Sequence, residues 1–249
     1  MTGAVSEDLF LGGRLRIRQP KTGYRAATDP VFLAAAAPVE AGESVVDLGC
    51  GVGVAALSVL ARVSGSRAVG IELQERYASL ARQNAAANNL HLTVLTGDLR
   101  TPPADFRELT ADHVIANPPF FQSGAACAAE DAGRDIAHRA GAPLAVFLDA
   151  GLRRLRPGGW LTVIQRTERM GEILAQLDGR AGSVAIKPLQ ARSDRPAERM
   201  ILKARKGGRG PLTLHPALVI HAGAHHGAPD DAYSAAAEAI LRGGKPLVF

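Results

Sequence analysis

The ten residues Ser44-Val45-Val46-Asp47-Leu48-Gly49-Cys50-Gly51-Val52-Gly53 restrict this chain's fold more than any other stretch. The short apolar run reads as a buried strand, and the apolar segment from 54 to about 63 reads as a helix. Glycines between them let the backbone approach a ligand with no Cβ in the way. The spacing is Gly-x-Gly-x-Gly, whereas dinucleotide-binding turns carry Gly-x-Gly-x-x-Gly. A nicotinamide dehydrogenase is therefore the alternative that this turn disfavours.

The strand-then-helix unit repeats down the chain. Strands are expected at 68–71, 92–95, 113–116, 160–164, 184–188 and 199–203. Helices are expected at about 74–88, 143–155 and 168–177. This order predicts an α/β domain with a mostly parallel sheet and helices on both faces. Ahead of it, 9–17 reads as a hairpin turning at Gly12-Gly13, and 29–37 as a helix with Asp29 as N-cap and Pro30 in its first position. The expected division is an N-terminal extension (1–40), a core domain (41–210) and a tail (211–249) with too little pattern to place. Residues 120–141 read as a long loop at a strand's C-terminal end, a common location for function.

Three strand ends carry acids. Asp47, two residues before the first glycine, can accept a hydrogen bond from a cationic amino group. Glu72 follows Gly49 by twenty-three residues, where an acid holds both ribose hydroxyls in nucleoside-binding βαβ units. Asp98 is placed to accept from an adenine amino group, with Leu99 beside the ring. Gly49, Cys50, Gly51, Gly53 and Leu73 complete this expected cofactor set.

The fourth strand ends in Asn117-Pro118-Pro119-Phe120. An exocyclic or amide nitrogen has its lone pair delocalised and is a poor nucleophile. The Asn117 side-chain oxygen and the Pro118 carbonyl can each accept one amino hydrogen, turning the lone pair toward an electrophile. Alignment and directed hydrogen bonds then supply most of the catalysis. The prolines stiffen the turn and remove competing donors, and Phe120 can stack on a flat target at about 1–3 kcal/mol per base.

Together these motifs resemble the class I S-adenosylmethionine-dependent methyltransferases, with Asn117 to Phe120 similar to the motif IV of amino-methyltransferases. The resemblance implies a Rossmann-like, seven-stranded sheet with an antiparallel last strand, and S-adenosylmethionine as cofactor. Gly23-Tyr24-Arg25-Ala26-Ala27-Thr28-Asp29, the stretch from Arg195 to Gly208, and Leu212-Thr213-Leu214-His215-Pro216 resemble bacterial tRNA adenine-N6 methyltransferases, which act on an anticodon-loop adenine of valine tRNA. That likeness implies that the segment bearing Tyr24 covers the cofactor and that Asp29 starts a helix beside it. The same turn serves guanine-N2, glutamine-amide and small-molecule methyltransferases, which stay open as alternatives. So does an RNA-binding protein that has kept the fold and lost the activity, although the intact set of Asp47, Glu72 and Asn117 to Phe120 argues against it.

Charge supports RNA as partner. The net charge is +5 with a pI of about 9.6, and residues 187–209 hold eight Lys or Arg against two acids. Arg25, Arg192, Arg195, Arg199 and Lys203 are the expected RNA contacts. Two cysteines without metal-like spacing, and an isolated His225-His226 pair, predict neither a metal site nor a disulfide framework. The first ten residues lack a secretion signal and no apolar run reaches spanning length, so a cytoplasmic enzyme is expected.

Overall fold

The computed structural model describes residues 4–119, 143–223 and 232–249. Phe120, the 121–141 loop and His225-His226 lie outside the described residues.

Chain order begins with a hairpin, β1 (Val5–Phe10) and β2 (Leu15–Pro20), followed by α1 (Asp29–Ala36). Next come β3 (Ser44–Leu48), α2 (Val54–Arg62), β4 (Arg67–Glu72), α3 (Glu75–Ala87) and β5 (Leu92–Thr96). A short helix α4 (Ala104–Arg107) leads to β6 (Ala111–Ala116). Then follow α5 (Leu144–Arg154), β7 (Leu155–Arg166), α6 (Met170–Leu177), β8 (Ala181–Gln190) and β9 (Arg199–Lys206). The tail forms β10 (Thr213–Leu214), β11 (Leu218–Val219) and α7 (Ala235–Leu241).

The main sheet runs β10-β8-β9-β7-β6-β3-β4-β5, with β11 also on β8. Five strands from β5 to β7 are parallel, and β9 inserts antiparallel between β7 and β8. The seven expected strands are all present, and the two short tail strands extend the sheet to nine by parallel pairing with β8. Side chains alternate between two cores, as the two-residue period of a strand requires. Val45, Ile115, Ile164 and Ile201 face α1, α2 and α3. Val46, Val114, Val163 and Leu202 face α4, α5 and α6.

Both chain ends join the first of these cores. Leu11, Leu15 and Ile17 from the hairpin, and Ile240, Leu241 and Leu247 from the tail, share one buried cluster with α1. The Leu247 amide donates to the Ala35 carbonyl at 2.8 Å. The tail thus covers an all-buried α1 whose alanines leave no polar face for water.

Candidate functional site

The glycine turn leaves β3 and opens α2. Gly49, Gly51 and Gly53 have φ of +68°, +56° and +89°, a left-handed region that other residues enter at a cost. The Gly49 and Cys50 amides are drawn to the Ile71 carbonyl at 2.8 and 3.0 Å, which docks the turn on the end of β4. A Cβ on Gly51 would stand 3.5 Å from the Tyr24 ring, so the turn and the 20–28 segment enclose the same space.

That segment is held by side chains far away in sequence. The buried Gln19 amide exchanges hydrogen bonds with the backbone of Ala26. The Tyr77 hydroxyl accepts the Tyr24 amide at 3.0 Å, and the two rings meet edge to face at 6.4 Å. Tyr24 is 39% exposed over the whole residue. Burial, then the charges of Asp29, Asp47 and Glu72, raise its pKa.

These three acids form a desolvated cradle around the glycine turn. Asp47 is 2% exposed and accepts the Ala56 amide at 3.1 Å. Burial pushes its carboxyl up to about 7, with the Glu72 charge adding and the Ala56 amide opposing. Glu72 accepts the Gly51 amide on one oxygen at 3.0 Å and the Gln74 amide on the other at 2.9 Å. Its pKa is also raised by burial, against those backbone bonds. Asp29 was expected as the N-cap of α1. Instead it is the first helical residue, Thr28 occupies the cap, and no side chain caps the helix. The Asp29 carboxylate turns to Arg199, an ion pair that joins α1 to β9.

Among the described residues, backbone amides rather than cationic side chains hold Asp47 and Glu72. Such a pair favours a ligand bringing its own positive charge and hydroxyl donors. S-adenosylmethionine carries an ammonium, a sulfonium and a ribose diol, so the residues present fit it. Cys50 is buried beside Gly70, and burial holds its thiol well above the usual range. It packs, and has no nucleophilic role.

Three expected cofactor residues are less buried than this cradle. Asp98 lies just past β5, where the Arg100 guanidinium straddles its carboxylate at 2.9 and 3.1 Å and lowers its pKa. Leu99 is half-buried against the second core, and Leu73 is exposed at the rim after β4.

Asn117, Pro118 and Pro119 follow β6 directly. The parallel register ends on the pair Leu48 and Ala116, so Gly49 and Asn117 leave neighbouring strands at the same level. The proline turn therefore adjoins the glycine turn at the carboxyl ends of neighbouring strands, where open α/β sheets bind ligands.

The basic residues divide. β9 is antiparallel to β7, with Arg199 opposite Arg166 at the catalytic edge and Arg205 opposite Trp160 at the far end. Arg192, Arg195 and Arg199 line a cavity of about 260 Å³ at the catalytic edge, with Leu189, Pro196 and Glu198. Lys203 lies mid-strand with its ammonium 3.7 Å from the centre of the Phe249 ring, and Lys206 donates to the Leu155 carbonyl at the far end. Arg25 is bound to Asp8, Ser6 and the Pro20 carbonyl at 2.6–2.8 Å, bracing the hairpin. Among the described residues no cluster of His, Cys, Asp and Glu is arranged for a metal ion. No helix among them is long and apolar enough to cross a membrane.

Known proteins resemble this chain in sequence and fold. Residues 28–187 match the methyltransferase small domain family. The chain is 28% identical to a tRNA1(Val) (adenine(37)-N6)-methyltransferase of Aeromonas hydrophila, over 84% of this chain and 89% of that one. It is 30% identical to an enzyme of the same name from Porphyromonas gingivalis, over 67% and 68% of the two chains. A solved structure of a predicted O-methyltransferase from Agrobacterium tumefaciens superposes with a TM-score of 0.71 at 23% identity, covering 88% of this chain and 98% of that one. An S-adenosylmethionine-dependent O-methyltransferase from Thermotoga maritima gives a TM-score of 0.53 at 18% identity, covering 76% and 69%. At these identities the two structures share the fold, and their acceptor atoms carry no weight here. The chain belongs to the methyltransferase small domain family and is an S-adenosylmethionine-dependent methyltransferase of class I fold.

Proposed function

We propose that this enzyme methylates the exocyclic N6 of an adenine in tRNA, with the anticodon-loop adenine of valine tRNA as its target. The observation that carries the reading is the Asn117-Pro118-Pro119 turn set beside the glycine turn by the β3–β6 register. The relatives from Aeromonas hydrophila and Porphyromonas gingivalis, whose names specify that reaction, support the choice of substrate.

When bound, S-adenosylmethionine supplies an electrophilic methyl group on a sulfonium. The protein's own groups do the rest. Asp47 and Glu72 hold the cationic and hydroxyl ends of the cofactor, and Tyr24 closes over the turn. Asn117 and the Pro118 carbonyl would accept the two amino hydrogens, turning the nitrogen lone pair toward the cofactor side of the site. The amino group, held by Asn117 and the Pro118 carbonyl, would give up its surplus proton to solvent. The cavity of Arg192, Arg195 and Arg199 receives RNA phosphates beside the target.

Transfer of labelled methyl groups into total tRNA, a protein extract and a metabolite pool, compared side by side, tests this reading. Label in tRNA at N6-methyladenosine is expected. Label in protein or metabolites alone would overturn it.

A further inference from the structure

Gln165 occupies a place at the catalytic edge that no sequence pattern marks. The β6–β7 register pairs Ala116 with Val163, and two residues further along both chains sets Pro118 beside Gln165. Pro118 has no N–H, so the backbone ladder loses a donor there. The Gln165 side chain, rather than a backbone group, makes the contact to Pro118 there. Its Nε2 donates to the Pro118 carbonyl at 3.4 Å, and its Oε1 accepts the Arg166 amide at 2.9 Å.

Gln165 is 0% exposed and sits among the buried Val163, Ile164, Met200 and Ile201. Burying a primary amide costs more than burying an apolar residue of the same length, even when it is bonded. Packing alone therefore gives no reason for glutamine here. A carbonyl oxygen has two lone pairs. One N–H from Gln165 leaves the second lone pair of Pro118 for a substrate amino hydrogen.

We infer that Gln165 is a positioning residue, fixing the Pro118 carbonyl so that its free lone pair meets the amino nitrogen to be methylated. The inference rests on the reading of the Asn117-Pro118-Pro119 turn given above. Because the Arg166 amide holds the other end of the side chain, the orientation is set before substrate arrives. A carbonyl released from this bond can tilt, and misplacements on the order of 1 Å cost about 10²-fold in rate.

The test is steady-state kinetics of the full chain on tRNA, with cofactor affinity measured separately by calorimetry. Gln165→Met keeps the length of the side chain and donates no hydrogen bond. It is expected to lower kcat by about tenfold or more while the cofactor Kd and the KM for tRNA stay near wild type. Gln165→Glu places a carboxylate against the carbonyl at neutral pH and a donating acid at lower pH. Its kcat, relative to wild type at each pH, is expected to recover as pH falls, a response that a packing role would not give. A Gln165→Met kcat near wild type, or a loss matched by a loss of cofactor affinity, would overturn the inference. Should Gln165→Met fail to fold, a Gln165→Glu profile parallel to wild type would overturn it. Asn117→Ala separates the two claims. Turnover by Asn117→Ala removes the reading of the turn and this inference together. An inactive Asn117→Ala beside fully active Gln165 variants removes only the inference.

Discussion

At the scale of single residues, the cofactor cradle is a compromise between binding and stability. Asp47 is held protonated up to about 7 by burial, with Glu72 adding to the effect. In the unfolded chain the same carboxyl releases its proton near the ordinary value of about 4. Between those limits the folded state binds more protons than the unfolded one. Stability of the cofactor-free protein therefore falls as pH rises from about 4 to 7. Cofactor affinity runs the other way and strengthens through about 7 as Asp47 ionises. Asp47→Asn is expected to weaken cofactor binding by tenfold or more, since a charged hydrogen bond contributes about 1.5–3 kcal/mol. At pH 8 it should also raise the melting temperature of the free protein by about 2–4 °C. Calorimetric titration and thermal unfolding across pH check both; a lower melting temperature with unchanged affinity would contradict the assignment. These acids were legible because each ends a strand beside a recognisable turn. Side-chain partners were not. No sequence pattern pairs Asp29 with Arg199, Asp98 with Arg100 or Arg25 with Asp8, because those choices depend on which groups the fold brings within reach.

At the scale of elements, the proposed cofactor lid, formed by the hairpin and the Tyr24 segment after it, is held by a helix acting as a strand. Asn84 on α3 and Asn88 at its C-cap lie four residues apart and so share one face. Asn88 exchanges hydrogen bonds with both backbone groups of Arg16, and Asn84 does the same with Arg18. They occupy the open edge of β2, which would otherwise present unpaired donors and acceptors. Asn84 is fully buried and also donates to the Val52 carbonyl at 3.0 Å, tying the hairpin to the glycine turn. Asn84→Ala leaves several backbone groups without partners. It is expected to destabilise the chain by about 2–3 kcal/mol and to weaken cofactor binding, because Tyr24 follows the hairpin. Denaturant unfolding measures the first effect, and a loss below about 0.5 kcal/mol, ordinary for an exposed site, would contradict this account of the lid. Strands and helices of the core were legible from their apolar period. The strands and helix of the tail were not, because β10 and β11 are two residues each and their pairing with β8 is tertiary. Likewise β9 runs past the expected 203 to Lys206, since β7 and β8 on either side supply partners that its charged sequence does not advertise.

At the scale of the whole molecule, strand direction sorts the positive charge. One basic strip in sequence becomes two groups in space, because antiparallel β9 carries its cations from the catalytic edge to the opposite end of the sheet. Composition announced an acidic partner, but only the register shows which cations lie at the carboxyl edge of the parallel strands. Replacing Arg192, Arg195 and Arg199 one at a time should weaken tRNA binding and reduce its salt slope by about one each. Because Arg199 also pairs with Asp29, its replacement should lower cofactor affinity as well. Replacing Arg205 or Lys206 should leave the slope unchanged. Binding titrations at several salt concentrations check this, and equal effects from the two groups would contradict it.

The central claim is that the Asn117-Pro118-Pro119 turn directs methyl transfer to an adenine amino group in tRNA. Nucleoside mass spectrometry of unmodified valine tRNA, incubated with cofactor and either wild type or Asn117→Ala, tests it most directly. N6-methyladenosine is expected from the wild type, with at least a hundredfold less from Asn117→Ala at unchanged cofactor affinity. Wild-type enzyme that leaves the adenines unmodified, or an Asn117→Ala variant that methylates as fast as wild type, would contradict it.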